Sequence, residues 1–538
     1  MTRARDLADQ HKTLSIDGGT IKLDGNFPTG TENVALGNQA LDDGSLSGGA
    51  NTAIGNNALS DNEGGANNTA VGRNALGSNT SANSNTAVGY NALVLNTTGE
   101  SNVAIGFGAL DANTTGAESV AVGIDAGGAN TTGRITAVGR HAVKSNTTAV
   151  ENTGIGYRAL RDTTTGPNNT AVGGDALLLN TTGDTNVAVG KDSMKANTTG
   201  TNNTALGPRT LQSNTTAVNN VAVGDLALGA NTTASRNTAV GVNAGGATTT
   251  GHVTAVGYAV LQSNTTGTAN VAVGGNDETN AAALQNNTTG SSNTAMGCAA
   301  LKDNTTGYSN VAMGLNAGLS NVTGKENTYI GHAAGGQSTG DNNAFLGQGA
   351  GFSSTGSTNT FLGKDAGVSM TSGSKNVIVG KYTGNNGGLD IRTSSNNIVL
   401  SDGDGNPRLY YTNADTSWRS AEIYATTTGD SANMVSLSSG TIARSTSALK
   451  YKQDIRDLEE MNIGLLRPVR YKSKCTIDDQ TKDHLGIIAD EAAASGFEDL
   501  ISYNADNEVE GFQYERLTVV LLKTIQALET RIAALEAE

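Results

Sequence analysis

A five-residue motif returns along most of this chain: asparagine, then valine or threonine, a small residue, an aliphatic residue and glycine. It reads Asn33-Val-Ala-Leu-Gly37, then Asn51-Thr-Ala-Ile-Gly55, Asn68-Thr-Ala-Val-Gly72 and Asn85-Thr-Ala-Val-Gly89, and it continues to Asn376-Val-Ile-Val-Gly380. From Gly37 to Gly380 the motif glycine occurs 21 times, nearly always 16 or 17 residues after the last. A unit that short cannot enclose a core of its own, so a fixed period of this kind implies coils stacked along one axis. Composition agrees. Of 538 residues 71 are glycine and only 4% aromatic, too few bulky side chains for large compact cores. The predicted fold is mainly β, a solenoid or roll of about 21 short coils.

Within one coil, the second and fourth motif residues alternate and share a strand face, which predicts that they form the inner column and that alanine points the other way. Glycine then permits a bend, and a second apolar pair such as Ala92-Leu93 follows. The coil closes with Asn-Thr-Thr-Gly, as at Asn96-Thr-Thr-Gly99, where asparagine and glycine suit a turn of positive φ. Repetition should stack these asparagines and threonines into polar ladders. Two departures stand out. Between Gly274 and Gly297 the spacing grows to 23, which predicts a protruding loop within Asn276–Gln285. In the last coils the motif alanine becomes Tyr329, Phe345, Phe361 and Ile378, so that end is thicker or packs against something.

The net charge of −15 leaves no basic footprint, so nucleic acid is not an expected partner. Cys298 and Cys475 stand far apart and suggest neither a disulfide framework nor a metal site, and no cofactor is expected. The first residues lack the apolar stretch of a signal peptide, and no segment is long and apolar enough for membrane insertion. Synthesis in a cytoplasm without general secretion is the expectation.

Leu14–Leu23 alternates like a short strand pair about Gly18-Gly19, after a turn or two of helix over Arg3–Gln10. Residues 1–32 read as an attachment segment, 33–389 as the repeat shaft, 390–446 as a β-rich cap or junction and 447–538 as a separate C-terminal domain. In the cap, strands about 396–401 and 407–411 flank Asp402-Gly-Asp-Gly405. That run has the opening spacing of a calcium loop but lacks its later glutamate and flanking helices, and it reads as a turn. After the cap comes Ser445-Thr-Ser-Ala-Leu-Lys-Tyr-Lys-Gln-Asp-Ile455, in which Ser447 and Lys452 are five apart. A lysine whose pKa is lowered by burial can activate a serine hydroxyl as a nucleophile. Alternatively, Ser447 caps a helix carrying Lys452. Lys452, Ile455, Leu458 and Met461 have helical spacing ahead of Pro468. Val469–Tyr471 and Leu485–Ala489 read as strands, and Asp490–Ser495 as a short helix stopped by Gly496. Leu521, Ile525, Leu528, Ile532 and Leu535 form a coiled-coil seam, with Tyr514 and Thr518 in the same series.

In this last region the chain resembles the endosialidase-type intramolecular chaperones at the C-terminus of phage tail spikes and tail fibres. Four segments carry the likeness: Ser447, Lys452 and Ile455; Pro468-Val-Arg-Tyr471; His484-Leu-Gly-Ile-Ile-Ala-Asp-Glu491; and Tyr514-Glu-Arg-Leu517. Ala448-Leu449-Lys450 departs from the family pattern after the serine. The resemblance implies a small α+β chaperone domain ending in a coiled-coil helix, which drives trimeric folding and then cuts itself off. It makes Ser447 and Lys452 the catalytic pair and Thr446–Ser447 the cleaved bond, a single-turnover Ser-Lys autoproteolytic endopeptidase. The repeats are similar to the head repeats of trimeric bacterial adhesins, with a slightly longer coil. Isoleucine at a and leucine at d by themselves suit two strands, whereas the resemblance implies three.

The resulting expectation is a homotrimeric phage tail fibre or tail spike, made in the host cytoplasm and carried on the virion. Its N-terminus would join the tail and its shaft would meet a host-surface glycan or protein receptor without enzymatic activity of its own. A bacterial trimeric adhesin is the alternative, and it calls for an export signal and a membrane anchor. A glycan-degrading tail spike is the third class, and it calls for paired carboxylates, which the linear order of the coils does not display.

Overall fold

The structure is a computed structural model. It describes residues 13–15, 22–24, 32–276, 281–414, 417–420, 434–436, 442–444, 455–474, 481–504 and 507–537. The chain divides into two compact units, Met1–Ala425 and Thr426–Glu538.

The first unit is a mainly β solenoid of about 21 turns. Each motif supplies a strand of three or four residues, and consecutive strands pair in parallel and in register. Ala53 faces Ala70, Ala70 faces Ala87, and Ala87 faces Ala104. A second backbone ladder runs up the opposite wall, where Leu76 N donates to Ala92 O and Leu93 N to Ala109 O, both at 3.0 Å. At a strand spacing of about 4.8 Å, the stack is roughly 100 Å long.

The two faces of the strand are the reverse of the sequence expectation. The motif alanines fill the interior, with Ala53, Ala70, Ala87 and Ala104 fully buried. The second and fourth residues point outward, and Ile105 remains 39% exposed. The reason is the thinness of the coil. At Gly154, where the motif alanine is missing, a Cβ would lie only 2.6 Å from Val143 Cγ2 and 3.1 Å from Ala159 O. The strand and the opposite wall are one small side chain apart, so aliphatic residues go outside.

Buried asparagines tie the coils together. Asn68 Oδ1 accepts from Asn85 N at 2.9 Å, and Asn85 Oδ1 accepts from Asn102 N at 2.9 Å. Each also donates forward, Asn85 Nδ2 to Gly99 O at 2.9 Å and Asn102 Nδ2 to Gly116 O at 2.8 Å. The closing-turn asparagines form a second ladder, in which Asn96 Nδ2 donates to Asn79 Oδ1 at 3.1 Å and Asn113 Nδ2 to Asn96 Oδ1 at 2.9 Å. Thr97 Oγ1 donates to Thr114 O at 3.1 Å, so the expected polar ladders are present. Where Ile135 and Val253 replace the motif asparagine, no side-chain acceptor is left for the next coil. There the backbone pairing lengthens by one residue, giving the strands Ile135–Val138 with Asn152–Ile155 and Val253–Val256 with Asn270–Val273.

Positive φ falls elsewhere than predicted. It occurs at the strand glycines, at the second residue after them, as at Asn91 (58°), at the fourth, as at Leu93 (52°), and at the residue before the motif asparagine, as at Ser84 (61°). In the closing turn the glycine is required by close approach, because a Cβ on Gly99 would lie 2.2 Å from Gly116 O. A left-handed leucine costs about 1–2 kcal/mol, which its complete burial, about 1.5–3 kcal/mol, offsets. Where glycine takes the leucine position, the space is filled from a strand. A Cβ on Gly127 would be 2.7 Å from Ile135 Cδ1, and on Gly351 it would be 2.4 Å from Phe345 Cδ2. Tyr329, Phe345, Phe361 and Ile378 are therefore interior residues, fully buried, with Phe345 and Phe361 stacked at 4.8 Å.

At the insertion, Gly275–Asn276 and Ala281–Ala282 form a small antiparallel pair while Val271 still faces Thr294 across it. The flanking coils keep their pairing across the insertion, Ala282–Gln285 are buried within the stack, and residues 277–280, where the protruding loop was expected, lie outside the described residues. Ile398–Ser401 and Pro407–Thr412 pair antiparallel at the far end. Asp402 accepts from Asp404 N at 3.0 Å and Asn406 N at 2.9 Å, which makes Asp402–Gly405 the turn it was read as. Thr13–Ser15 pairs antiparallel with Lys22–Asp24, matching the strand pair expected there, while Arg3–Gln10 lies outside the described residues. Trp418 lies in the first unit and Met434 in the second.

The second unit contains an antiparallel pair, Pro468–Lys472 with Asp483–Ile487, then helix α1, Ala489–Ala494, a second pair, Ile501–Tyr503 with Val509–Phe512, and helix α2, Tyr514–Glu536. Gly496, at φ 85°, follows α1 as expected. The helix predicted through Leu458 and Met461 is absent from residues 455–462, and a 3-10 turn, Ile463–Leu465, stands in its place. A spacing of three without intervening fours is not specific to an α-helix, and Asn462 accepting from Gly464 N turns the chain locally.

Ala104→Val should lower the unfolding midpoint, a loss of about 1–3 kcal/mol from overpacking. Val103→Thr on the outer face should stay within about 0.5 kcal/mol. Chemical denaturation of the two variants checks the order, and the reverse order would turn the strand face around.

Candidate functional site

Thr446, Ser447 and Lys452 lie outside the described residues. Three other segments of the same sequence pattern are described, and they converge. Tyr471 and His484 stack across the first strand pair with centroids 5.7 Å apart. Tyr514, at the start of α2, accepts from Ile487 N at 2.6 Å through its hydroxyl. Gly486 lies between these rings, since a Cβ there would be 2.5 Å from Tyr514 Oη and 3.0 Å from Tyr471 Cε1. Arg467 Nε donates to Glu491 Oε2 at 2.9 Å. The Arg467 guanidinium holds the Glu491 carboxyl below its usual value. His484 Nε2 is buried and has no hydrogen-bond partner among the described residues. Beneath this cluster, Ala492, Phe497, Leu500, Ile501 and Val520 form a small core, against which Leu458, Met461 and Leu517 pack. The heptad residues Leu521, Ile525, Leu528, Ile532 and Leu535 are exposed, Leu535 by 71%.

On the solenoid, the outward strand residues make a long apolar face. Ile54, Ile105, Val189, Leu206, Met296, Leu362 and Val379 are all exposed along the shaft.

The solenoid also carries an open cavity of about 530 Å³, lined by Val94, Leu95, Asp111, Ala112, Asp125, Gly128, Ala129, Lys144 and Ser145. Val94, Asp111, Gly128 and Lys144 occupy the same position in four successive coils, the fifth residue after the strand glycine. Gly128 is thus a gap in a column of side chains. Lys144 Nζ donates to Asp125 Oδ2 at 2.9 Å, and His141 Nε2 is 3.6 Å from the same oxygen. Burial pushes the Asp111 carboxyl above its usual value, the Asp125 charge adds to this, and Lys144 offsets part of it. Burial, with Lys144 and Arg140 nearby, lowers the His141 pKa. Among the described residues, no group of three or more His, Cys, Asp or Glu could hold a metal ion.

The linear order of the coils does not display this carboxylate pair, because Asp111 and Asp125 are 14 apart. The period reveals it. A residue five after one strand glycine and one two after the next become neighbours once the coils stack.

Fold and repeat geometry define a β-solenoid repeat protein. No family model matches the chain, and no curated protein or solved structure matches it either.

Asp111 also predicts a pH effect. Its folded pKa is raised, so the folded state binds the proton more tightly, and stability falls as pH rises from the unfolded value near 3.8 through the folded one. Asp111→Asn should therefore raise the melting temperature at pH 7, and the gain should vanish below the unfolded value. Thermal melts at the two pH values check it.

Proposed function

We propose that the chain is a phage tail fibre or tail spike whose C-terminal unit drives trimeric folding and then removes itself between Thr446 and Ser447. The observation that supports this reading is the convergence of Tyr471, His484, Gly486, Glu491 and Tyr514, scattered in sequence, around one small fold. In this reading Lys452, neutral in its site, takes the proton of Ser447 Oγ. The oxygen attacks the Thr446 carbonyl carbon, Lys452 returns the proton to the Ser447 nitrogen, the peptide C–N bond breaks, and that nitrogen leaves as an amine. Water then hydrolyses the ester, leaving Thr446 as a carboxylate and Ser447 as a new N-terminus.

Trimerisation has its own support. The exposed aliphatic columns of the shaft and the exposed heptad face of α2 both need apolar cover, and copies of the same chain supply matching columns in the same register. The shaft then serves as the surface-recognising part, with the virion tail joined through residues 1–32.

Mass measurement of the expressed chain tests the reading. A product ending at Thr446 and a fragment beginning at Ser447 are expected. Ser447→Ala or Lys452→Ala should give an uncut chain that still forms trimers, and the double variant should be no worse than either. A chain stopped after Thr446 should aggregate, although the cleaved product of the same sequence stays soluble. If that truncated chain folds unaided into the same heat-resistant trimer, the chaperone role is lost.

A further inference from the structure

We infer that the cavity at Gly128 is a binding site for one residue of a neutral, hydroxyl-rich saccharide. The inference rests on the surface-recognition reading above and gives it a place on the shaft. Glycine occupies the same column at Gly77, Gly229, Gly246 and Gly336, and what borders it differs from coil to coil: a Cβ on Gly77 would meet no side chain closer than Val94 Cγ2, at 3.8 Å. A Cβ on Gly246 would meet Asn243 Oδ1 at 2.3 Å, one on Gly336 would meet the Phe352 ring at 2.7 Å, and one on Gly229 would meet Leu226 Cδ2 at 3.3 Å. On Gly128 the nearest side-chain atom is Asp111 Oδ1 at 3.3 Å, followed by Asp125 Cβ at 3.8 Å. Among these glycines Gly128 is the one whose neighbouring side chains are carboxylates, so the gap there is bordered by acceptors. At about 530 Å³ it falls within the range of about 300–1,000 Å³ usual for small-molecule sites.

The lining selects the chemistry. Asp111 and Asp125 offer acceptors to hydroxyl groups, Lys144 and Ser145 offer donors, and Val94 with Leu95 offers apolar surface to the C–H face of a sugar ring. An anionic ligand would face two carboxyl groups against one ammonium, itself already paired with Asp125. A metal ion would have to displace Lys144, which already stands 2.9 Å from Asp125. A neutral polyol meets neither obstacle. The salt bridge leaves Asp125 and Lys144 with further acceptor and donor capacity, since a carboxylate accepts several hydrogen bonds and an ammonium donates three.

The test uses the full-length assembled chain, titrated by calorimetry with maltohexaose, mannohexaose and chitohexaose, and with oligogalacturonate as an anionic control. At least one neutral oligosaccharide should bind saturably, and oligogalacturonate should not. Gly128→Leu fills the gap while leaving both carboxylate residues in place, and it should weaken binding at least tenfold with the melting temperature kept. If that variant folds poorly, Lys144→Met removes a donor at a half-exposed position and should weaken the same sugar. Failure of all three neutral sugars to bind overturns the inference, as does binding unchanged in the folded variants or preference for the anionic control. Chain processing and oligomeric mass, measured on the same preparation, report on the fibre reading separately. Loss of sugar binding with processing and trimers intact removes this site alone.

Discussion

The buried asparagine ladder is the interaction on which the rest of this solenoid depends. A coil of 16 or 17 residues has no room for a hydrophobic core of ordinary thickness, so its interior must satisfy backbone groups as well as exclude water. One motif asparagine does both. Its Oδ1 takes the N–H of the equivalent residue in the next coil, and its Nδ2 gives to a carbonyl near the next turn, as Asn85 does to Asn102 N and Gly99 O. A buried amide with its partners removed costs about 1–3 kcal/mol, and the same ladder recurs through the stack. The lengthened strand pairs at Ile135 and Val253 show how strictly this requirement holds: once the side-chain acceptor is gone, the backbone itself is drawn into the gap.

From that ladder follows the placement of everything apolar. Asparagine before the strand and leucine on the opposite wall bring the two walls so close that only alanine fits between them, as the space at Gly154 illustrates. Valine, isoleucine and leucine are then left outside on the sheet. The interior of a single chain is complete, yet its outer face is apolar over the length of the shaft. In the second unit the same condition recurs on α2, where Val520 turns into the small core and the heptad residues turn out. Each unit is filled inside and carries exposed aliphatic residues outside, which is what supports the proposed assembly of several copies.

The repeat, its period, the coil number, the insertion and the polar ladders were legible in the sequence because stacking at fixed period is a one-dimensional property. The strand face was not. Alternation in Asn102-Val-Ala-Ile-Gly106 says that Val103 and Ile105 share a side, and hydrophobicity alone assigns that side to the interior. What decides is thickness, a property of the opposite wall that no single strand encodes. The positive φ positions were missed for a related reason, since Leu93 adopts a conformation its side chain disfavours and is held there by burial. In the tail, Pro468–Tyr471, the short helix before Gly496 and the heptad helix followed local rules and were readable. The segment 455–462 was not, because its three-residue spacing fits more than one conformation. The Asp111 and Asp125 pair needed only the repeat period applied across a coil boundary.

A stack of near-identical coils has a difficulty that an ordinary domain does not share. Displacing one part by a whole coil restores almost every hydrogen bond, so ladders alone set spacing and not identity. The size-matched pairs inside the stack supply identity. Ile135 fills the room left by Gly127, Tyr329 that left by Gly318 and Gly335, and Phe345 that left by Gly351. A slip of one coil would drive Ile135 toward Leu110, a position with no space, and would leave Gly127 facing an empty gap. Overpacking of this kind costs about 1–3 kcal/mol per site, enough to reject a slipped stack once it has formed locally. These pairs are concentrated at few coils, however. Between Gly139 and Gly241 the chain runs on with leucine, methionine or valine at the wall position, at Val143, Leu160, Leu177, Met194, Leu211 and Leu228, and no glycine there. After the Gly154 and Val143 pair, register from Gly156 to Gly241, as in the first coils with Leu41 to Leu110, is weakly specified by the side chains within one chain, and an element that aligns several chains before they stack would have its largest effect in those stretches.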